Sequence, residues 1–304
     1  MAKVETIGFV GLGQMGWPMA QNLARAGVEL LLHDADPARA EEFASAHGGT
    51  PASSPADFGE CGVVVTMLPD GGVVRAVLLE WEGGLAAALK SGALVVDMSS
   101  SNPADTRQLA GRLATSGIYL IDAPVSGGTP RAVDGTLSIM VGGDAVQITR
   151  AEPVLDLLGH PARRFRTGPL GTGHAMKALN NFVAATSYAA TVEALVIGRT
   201  VGLTPDVMAA VINASTGRSF SSDVVVEQNI VSGAYATGFK LGLLAKDVAI
   251  AADIAAHADV EAPCAELANR LWSQANAALS GLEDHSKAHQ AWWDAALVGD
   301  GARQ

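Results

Sequence analysis

Short apolar runs alternate with helix-like segments over the first half of the chain, whereas the second half contains helix-like segments alone. A continuous apolar run bounded by turn residues is typical of a parallel strand buried on both faces of a sheet. Such runs occupy residues 6–10, 29–33, 63–67, 93–96, 119–121 and 137–141. Helical spacing covers residues 174–201, 221–231, 241–258, 263–279 and 285–297, with a further helix starting at Pro205. The pattern predicts an α/β domain with a doubly wound sheet over residues 1–168 and an all-helical domain over residues 169–304, joined by a long helix.

A glycine-rich turn lies between the first predicted strand and a helix-forming segment, Trp17 to Ala26. In the pattern G-x-G-x-x-G, the first glycine permits a tight turn, the second lets the backbone approach a pyrophosphate, and the third allows close packing. The phosphates would lie on free N–H groups at the positive end of the helix. A purely structural turn is the alternative, but the strand and helix around the motif favour a Rossmann-type dinucleotide site. Its cofactor-binding residues are predicted to be Gly11, Leu12, Gly13, Gln14, Met15 and Gly16.

Asp34 ends the second predicted strand and bears on which dinucleotide binds. An acidic residue about 20 positions after the glycine motif is expected to accept hydrogen bonds from the adenosine ribose. A carboxylate there repels a 2′-phosphate, so the sequence favours NAD over NADP. Arg39, on the next helix, could reach such a phosphate, but the preferred interpretation is a surface arginine.

Three further strand ends carry candidate ligand-binding residues, because ligands of open α/β sheets bind beyond the carboxyl ends of the strands. The first two ends are Leu68-Pro69 and Asp97-Met98-Ser99-Ser100, for which ordinary loops with capping serines are the alternative interpretation. The third is Ser126-Gly127-Gly128, where paired glycines can expose N–H groups as an anion-binding nest and the serine adds a hydroxyl donor. A carboxylate is the natural guest; a plain Gly-Gly turn is the alternative.

The long helix opens after Gly171-Thr172-Gly173 and places Lys177, Asn180 and Asn181 in its first turns. Residues four apart share a helix face, so Lys177 and Asn181 form a pair. A solvated lysine near a helix start is the alternative interpretation. Later, Lys246-Asp247 is predicted to lie off the apolar stripe of its helix, which consists of Leu241, Leu244, Val248, Ala251 and Ala255.

The amino-acid composition limits which binding partners and which cellular compartment are expected. Hydrophobic residues make up 49% of the chain and charged residues 17%, which is enough for sizeable cores. The net charge of −11 argues against nucleic acid or an anionic membrane as a partner. Two distant cysteines, Cys61 and Cys264, and the lack of metal-ligand spacing predict neither disulfide framework nor metal site. With a strand pattern directly after Met1-Ala2-Lys3, we expect a cytoplasmic protein without a signal peptide or membrane span.

Taken together, the chain resembles the β-hydroxyacid dehydrogenase family, especially 3-hydroxyisobutyrate dehydrogenases, over nearly its whole length. Four blocks in the right order carry the resemblance: Gly8 to Gly16 with Pro18-Met19-Ala20, Asp122 to Gly128, Gly171-Thr172-Gly173 followed by Lys177 and Asn180-Asn181, and Lys246-Asp247. One block would be weak evidence, but the ordered set is specific. The family implies a nucleotide-binding domain and an all-helical domain that closes over the cleft and mediates oligomerisation, here as a homodimer or homotetramer.

The resemblance also implies roles for residues of this chain. Lys177 would be the general acid/base and Asn181 its polar partner. Substrate would be held by Ser126, Gly127, Gly128, Asn180, Phe239 and Lys240. The cofactor site would be completed by Leu68, Pro69, Val73, Ser100 and Lys246. A lysine base must be partly neutral, so desolvation has to lower its pKa towards the working pH.

The implied reaction is reversible hydride transfer between a nicotinamide and a small anionic 3-hydroxy acid or its semialdehyde, without a metal. Two departures leave the substrate open, because relatives often carry Trp where Phe220 stands and Lys240 is unusual beside their pattern. Alternatives are an NADP-dependent reductase of tartronate semialdehyde or glyoxylate type, an imine reductase-like enzyme, and a non-catalytic cofactor-binding scaffold. The last two classes usually lack the lysine that this sequence has at position 177.

Overall fold

The computed structural model describes residues 6–293 and residue 297. The chain divides into two compact units, Met1–Lys177 and Ala178–Gln304. The predicted division, after residue 168, assigned the start of the long helix to the helical domain. In the structure the first turn of that helix belongs to the first unit, because its backbone is bonded to the strand ends there.

The first unit is built on one sheet. Its strands are β1 (Ile7–Val10), β2 (Leu30–His33), β3 (Thr50–Pro51), β4 (Val63–Thr66), β5 (Leu94–Asp97), β6 (Tyr119–Asp122), β7 (Val125–Ser126), β8 (Leu137–Gly142) and β9 (Gly159–Gly168). Within the described residues these nine strands run in the order β3-β2-β1-β4-β5-β6-β8-β7, with β9 paired to β8. β1 to β6 are mutually parallel, whereas β8 runs antiparallel to β6 and β7. The chain therefore reverses its direction of progress across the sheet between β1 and β4, where an open α/β sheet binds its ligand.

Helices cover both faces of this sheet, as the continuous apolar runs predicted. They are α1 (Gly16–Arg25), α2 (Pro37–His47), α3 (Gly71–Leu79), α4 (Leu85–Ala88), α5 (Pro103–Ala114), α6 (Gly128–Asp134) and α7 (Ala145–Leu158). Alternate strand residues point to opposite faces, so Val65 joins one core cluster and Val64 the other. Full burial of such a side chain contributes about 1.5–3 kcal/mol, so both faces stabilise the sheet.

The strand β9 was not among the predicted strands. Its sequence contains a proline and three arginines, and Phe165 is 53% exposed, so it carries no apolar signature. An edge strand of this kind pairs along one side and leaves most side chains in water. Arg164 and Arg166 instead form ion pairs with Glu152 on α7.

The second unit is helical. It comprises the rest of α8 (Thr172–Arg199), α9 (Pro205–Asn213), a π-helix (Ser221–Val231), α10 (Leu241–His257), α11 (Pro263–Ala278) and a 3₁₀ helix (His285–Ala291). The predicted helix at 285–297 extends partly outside the described residues. The predicted fold class, a Rossmann-type doubly wound domain followed by an all-helical domain, is confirmed.

The helix α8 is long and apolar enough to span a membrane by length and composition alone, with a mean hydropathy of 1.2. Its apolar residues have another explanation in this fold. Tyr188, Val192 and Leu195 are fully buried in the core cluster of the helical unit, together with Trp272 of α11. The core of the helical unit therefore accounts for part of the apolar composition of α8, of whose apolar window 39% is buried.

Candidate active site

The three glycines of the motif lie in the loop between β1 and α1, and each has a different steric environment. Gly11 has a φ of +99°, and a Cβ there would overlap the Met67 carbonyl oxygen. A Cβ at Gly16 would overlap the carbonyl oxygen of Gly11. At Gly13, by contrast, a Cβ would meet no described atom within 4 Å, so this backbone faces open space. The start of α1 also has no side-chain cap among the described residues, which leaves N–H groups for a ligand. This arrangement fits a pyrophosphate.

Asp34 is fixed beside that loop by two backbone donors. The Leu12 N–H donates to Asp34 Oδ2 at 2.7 Å, and the Asp36 N–H donates to Oδ1 at 3.0 Å. Arg39 meets the same loop residue, because its guanidinium donates to the Leu12 carbonyl at 2.9 Å. The acidic and the basic candidate for the ribose end of a dinucleotide thus both touch the backbone of Leu12.

The ends of β4 and β5 are joined by a buried carboxylate, Asp97, which lies in a predicted strand end but was not among the predicted site residues. Asp97 is 2% exposed and accepts from the Thr66 hydroxyl at 2.9 Å and from the Ser99 N–H at 3.0 Å. The Ser99 hydroxyl in turn accepts from the Leu68 N–H at 3.0 Å. The predicted positions Leu68 and Ser100 therefore lie on two strand ends that are held in register. Pro69, which precedes α3, and Val73, in the first turn of α3, are both exposed.

The Ser126-Gly127-Gly128 segment connects β7 to α6 and is open to solvent at both glycines. Gly127 has a φ of +131° and Gly128 a φ of +66°, conformations that favour glycine. Their N–H groups lie in an exposed turn that leads into α6. The side chain of Arg131, one helical turn after Gly127, lies against this glycine and brings a positive charge to the segment. This geometry suits an anionic group.

The start of α8 is hydrogen-bonded to the side chain of Asp122. Asp122 is fully buried at the end of β6, and its two oxygens accept from the N–H groups of Gly171 and His174 at 2.7 Å and 2.8 Å. Lys177 follows three residues later and is partly buried. The predicted proton-transfer lysine therefore stands just beyond a helix start that is bonded to the sheet.

In the helical unit, Asn181 is connected to α10 through Asp247. Asn181 is 6% exposed, and its Nδ2 donates to Asp247 Oδ2 at 2.6 Å. Asn180 Nδ2 donates to Asn181 Oδ1 at 3.2 Å, and Lys246 Nζ lies 3.2 Å from Asp247 Oδ1. The structure thus brings Asn180, Asn181 and Lys246 together around Asp247. The expectation that Asp247 lies off the buried stripe was wrong, since it is 2% exposed.

The Phe239-Lys240 segment, which precedes α10, is held by a different group of side chains. Asp284 accepts from the Thr237 hydroxyl at 2.8 Å and from the Gly238 N–H at 2.9 Å. The His285 N–H donates to the Phe239 carbonyl at 2.9 Å. The backbone of Lys240 forms a bridge with that of Asp284. These bonds set the path of the backbone, and they leave the ammonium of Lys240 out of the network.

Comparison with known proteins identifies the protein family. Residues 6–168 match the NAD binding domain of 6-phosphogluconate dehydrogenase, and residues 171–292 match the family described as NAD-binding of NADP-dependent 3-hydroxyisobutyrate dehydrogenase. The chain is 35% identical to the 2-(hydroxymethyl)glutarate dehydrogenase of Eubacterium barkeri, over 96% of each chain. It is 34% identical to the 3-sulfolactaldehyde reductase of Escherichia coli K12, over 93% of this chain and 94% of the relative.

A solved structure shows the same likeness. The 3-hydroxyisobutyrate dehydrogenase of Mycobacterium tuberculosis with L-serine matches with a TM-score of 0.85 and 32% identity, covering 95% of this chain and 99% of that one. The chain belongs to the β-hydroxyacid dehydrogenase family. It is an NAD(P)-dependent oxidoreductase, as predicted.

Four buried polar residues of this β-hydroxyacid dehydrogenase escaped the site prediction: Asp97, Asp122, His174 and Asp247. Each bonds to a partner at least 31 positions away. The sequence signal that could have found them is a charged or polar residue at the end of an apolar strand or between apolar residues of a helix. Such a residue is expected to be buried, and a buried charge requires a partner. The sequence alone does not identify that partner. The described residues contain no group of three metal-ligating side chains placed to hold a metal ion.

Acid should weaken the helical unit of this dehydrogenase. Burial lowers the pKa of His285, which the Asp284 carboxylate only partly opposes, and burial likewise lowers the pKa of His289. Because an unfolded histidine titrates near pH 6.5, the unfolded state binds more protons below that pH, and the free energy of unfolding falls with it. We expect a lower urea midpoint at about pH 5.5 than at about pH 7.5.

Tryptophan fluorescence would measure both midpoints. His285→Asn should reduce the difference between them, whereas the matched change at the exposed His160 should leave it as in the wild type. Equal midpoints at the two pH values in the wild type would contradict this account of the buried histidines.

Proposed function

We propose that this β-hydroxyacid dehydrogenase interconverts a small anionic 3-hydroxy acid and its semialdehyde, with Lys177 as the general acid/base. The observation that carries the proposal is the position of Lys177, just beyond a helix start bonded to the ends of the sheet that forms the nucleotide site. In an open α/β sheet that edge is where ligands bind.

Proton transfer in both directions follows from the chemistry of an amine. A neutral Lys177 accepts the hydroxyl proton as the acid is oxidised, and the ammonium form donates it to the carbonyl oxygen in reduction. When bound, the nicotinamide accepts or supplies the hydride. The Asp247 carboxylate can only accept, so it fixes the amide of Asn181 with its NH₂ towards α10. Asn181 Oδ1 accepts from Asn180 Nδ2 and keeps a second lone pair as an acceptor. We assign Asn181 as the polar partner of Lys177.

The substrate class follows from the open segment at Ser126, Gly127 and Gly128. Its N–H groups and the Ser126 hydroxyl would hold the acid group, with Asn180, Phe239 and Lys240 as further substrate contacts. The relatives' names support this class: hydroxymethylglutarate, sulfolactaldehyde and hydroxyisobutyrate each combine an acid group with an alcohol or aldehyde. A reductase of semialdehydes uses the same groups in the opposite direction.

The cofactor is proposed to be NAD rather than NADP. Its pyrophosphate would lie on the loop from Gly11 to Gly16. The rest of the site would be formed by Asp34, Leu68, Pro69, Val73, Ser100 and Lys246. The two N–H donors to Asp34 keep its carboxylate beside the loop, where it accepts from ribose hydroxyls and repels a 2′-phosphate. Arg39, whose guanidinium donates to the Leu12 carbonyl, would offer a cation to such a phosphate once that repulsion is removed.

Asp34→Asn should therefore reduce the preference for NAD over NADP by about tenfold or more, because tenfold corresponds to about 1.4 kcal/mol of lost discrimination. The ratio of kcat/KM for the two cofactors measures it. Asp36→Asn is the matched control, since it removes a neighbouring charge that caps α2. An unchanged ratio in Asp34→Asn, or an equal shift in the control, would show the ribose argument to be wrong.

The experiment that tests the function is cofactor absorbance with a panel of small hydroxy acids and semialdehydes. We expect turnover with at least one acid that carries a 3-hydroxyl group, and weaker turnover with its uncharged analogue. Turnover of imines alone, or cofactor binding without turnover of any member, would overturn the proposal.

We further propose a cytoplasmic homodimer or homotetramer assembled through the helical unit. Both cysteines are free thiols, which suits a reducing compartment. Large apolar side chains of the helical unit are solvent-exposed in the single chain, including Val183, Val201 and Phe220 at 60%, 76% and 70%. Where such side chains form one contiguous patch, that surface is typical of a protein contact. Light scattering at working concentration would test it, and a monomer would contradict it.

A further inference from the structure

The buried carboxylate of Asp122 takes the place of a local N-cap for α8. The first N–H groups of a helix have no partner within the helix and need an acceptor from elsewhere. Here the acceptor comes from the end of β6, about 50 residues earlier, and each carboxylate oxygen takes one N–H group. The negative charge also lies at the positive end of the helix, where it is stabilising.

The backbone around Asp122 leaves this helix start little freedom. A Cβ added at Gly173 would overlap the carbonyl oxygen of Met140 and lie 2.9 Å from that of Asp122. A Cβ at Gly142, on β8, would lie 2.6 Å from Asp122 Oδ1 and 2.9 Å from the nitrogen of Gly173. The main chains of β6, β8 and α8 therefore meet at van der Waals contact around one carboxylate. A change there has to move the helix.

The side chain of His174 continues the same network towards the cofactor loops. Its ring is 1% exposed, with Nδ1 2.8 Å from the Thr106 hydroxyl and Nε2 3.7 Å from Asp97 Oδ2. Asp97 and Asp122 are paired in register on neighbouring strands. Because Asp97 also holds the end of β4, the start of α8 is connected to three strand ends of the nucleotide-binding unit.

We propose that Asp122 is a positioning residue for the proton transfer, acting through the start of α8 on Lys177. This rests on the proposed role of Lys177. Asp122 also stands four residues before Ser126 on the same chain segment, so one side chain ties the helix of the amine to the segment assigned to the substrate's acid group. Displacement of a reacting group by about 1 Å can cost about 10²-fold in rate, so the bond to Asp122 matters for turnover.

Asp122→Asn keeps the size of the side chain but sets an NH₂ group against one of the two N–H donors. We expect kcat to fall about 10- to 10²-fold while the dissociation constant for NADH stays within about twofold. The apparent ionisation in the pH profile of kcat should also shift, because the environment of the amine changes. Asp144→Asn is the matched control: Asp144 accepts from two N–H groups at the start of α7, and its loss should leave kcat unchanged.

A double-mutant cycle with Lys177→Ala decides whether Asp122 acts through the amine. Without an amine to misplace, Asp122→Asn should cost no more than about twofold further in kcat. The same fractional loss in both backgrounds, or wild-type kcat in Asp122→Asn, would overturn the proposal. If Asp122→Asn does not fold, Gly173→Ala displaces the same helix start and is used in the same cycle. Failure of the proposed function would show differently, as near-normal turnover in Lys177→Ala alone.

Discussion

Lys177→Ala should lower turnover by about 10²-fold or more in both reaction directions while NADH still binds. The side chain is proposed to hold the proton that the substrate hydroxyl loses, and alanine offers no group to take it. Cofactor affinity should be retained because the glycine loop and the Asp34 contacts lie elsewhere in the nucleotide-binding unit. Steady-state rates and titration of NADH fluorescence measure the two quantities.

The control for that substitution is another lysine of the same unit. Lys90 is exposed and forms an ion pair with Glu60. An exposed pair of this kind contributes little to stability, so Lys90→Ala should leave turnover, NADH binding and unfolding near wild type. Turnover within about twofold of wild type in Lys177→Ala would rule out general acid/base catalysis by this residue.

Asp247→Ala should reduce kcat by about tenfold or more and lower the free energy of unfolding by about 1–3 kcal/mol. Alanine leaves the buried Nδ2 of Asn181 without its acceptor, and an unsatisfied buried donor carries that cost. It also frees the amide to rotate, so Asn181 no longer presents a fixed acceptor. Turnover and urea unfolding measure the two effects.

Two further variants test whether these losses arise from the bond between Asn181 and Asp247. Asp247→Asn keeps an oxygen for Asn181 while removing the charge beside Lys246, so it should retain more of the turnover than alanine does. Asp253→Ala, at an exposed position of the same helix, should change neither quantity. Equal loss in Asp253→Ala, or wild-type kcat in Asp247→Ala, would show that the Asn181–Asp247 bond has no part in the reaction.

Local patterns predicted the nucleotide-binding half of the fold. The turn from Gly11 to Gly16 has an apolar strand pattern before it and a helical pattern after it. Each of its three glycines was predicted for a separate steric reason, and in the structure each has the expected surroundings. The strand β9 was missed for a local reason as well. An exposed edge strand rich in arginine has neither the apolar run nor the alternation that marks a strand.

The polar contacts of the candidate site could not be predicted in the same way. Asp97 and Asp122 stand at the ends of apolar strands, where a sequence shows a carboxylate but not what it binds. Their partners, Thr66 and the backbone of Gly171 and His174, are brought near only by the order of strands in the sheet. Likewise, the burial of Asp247 depends on Asn181, 66 positions away.

The position of Lys177 shows what the structure adds to the sequence. From the sequence, Lys177 is predicted to lie on the helix between the two halves, and that helix is predicted to begin the helical domain. The compact units divide directly after Lys177, so the amine belongs with the strand ends that carry the glycine loop and the Ser126 to Gly128 segment.

The most direct test of the central claim is the pH dependence of kcat for oxidation of a 3-hydroxy acid, measured in wild type and in Lys177→Ala. We predict that the wild-type rate rises with pH through one ionisation, as the amine loses its proton, and that this ionisation is absent from the alanine variant. The same ionisation in both proteins would contradict it, because the group that titrates would then be a different residue.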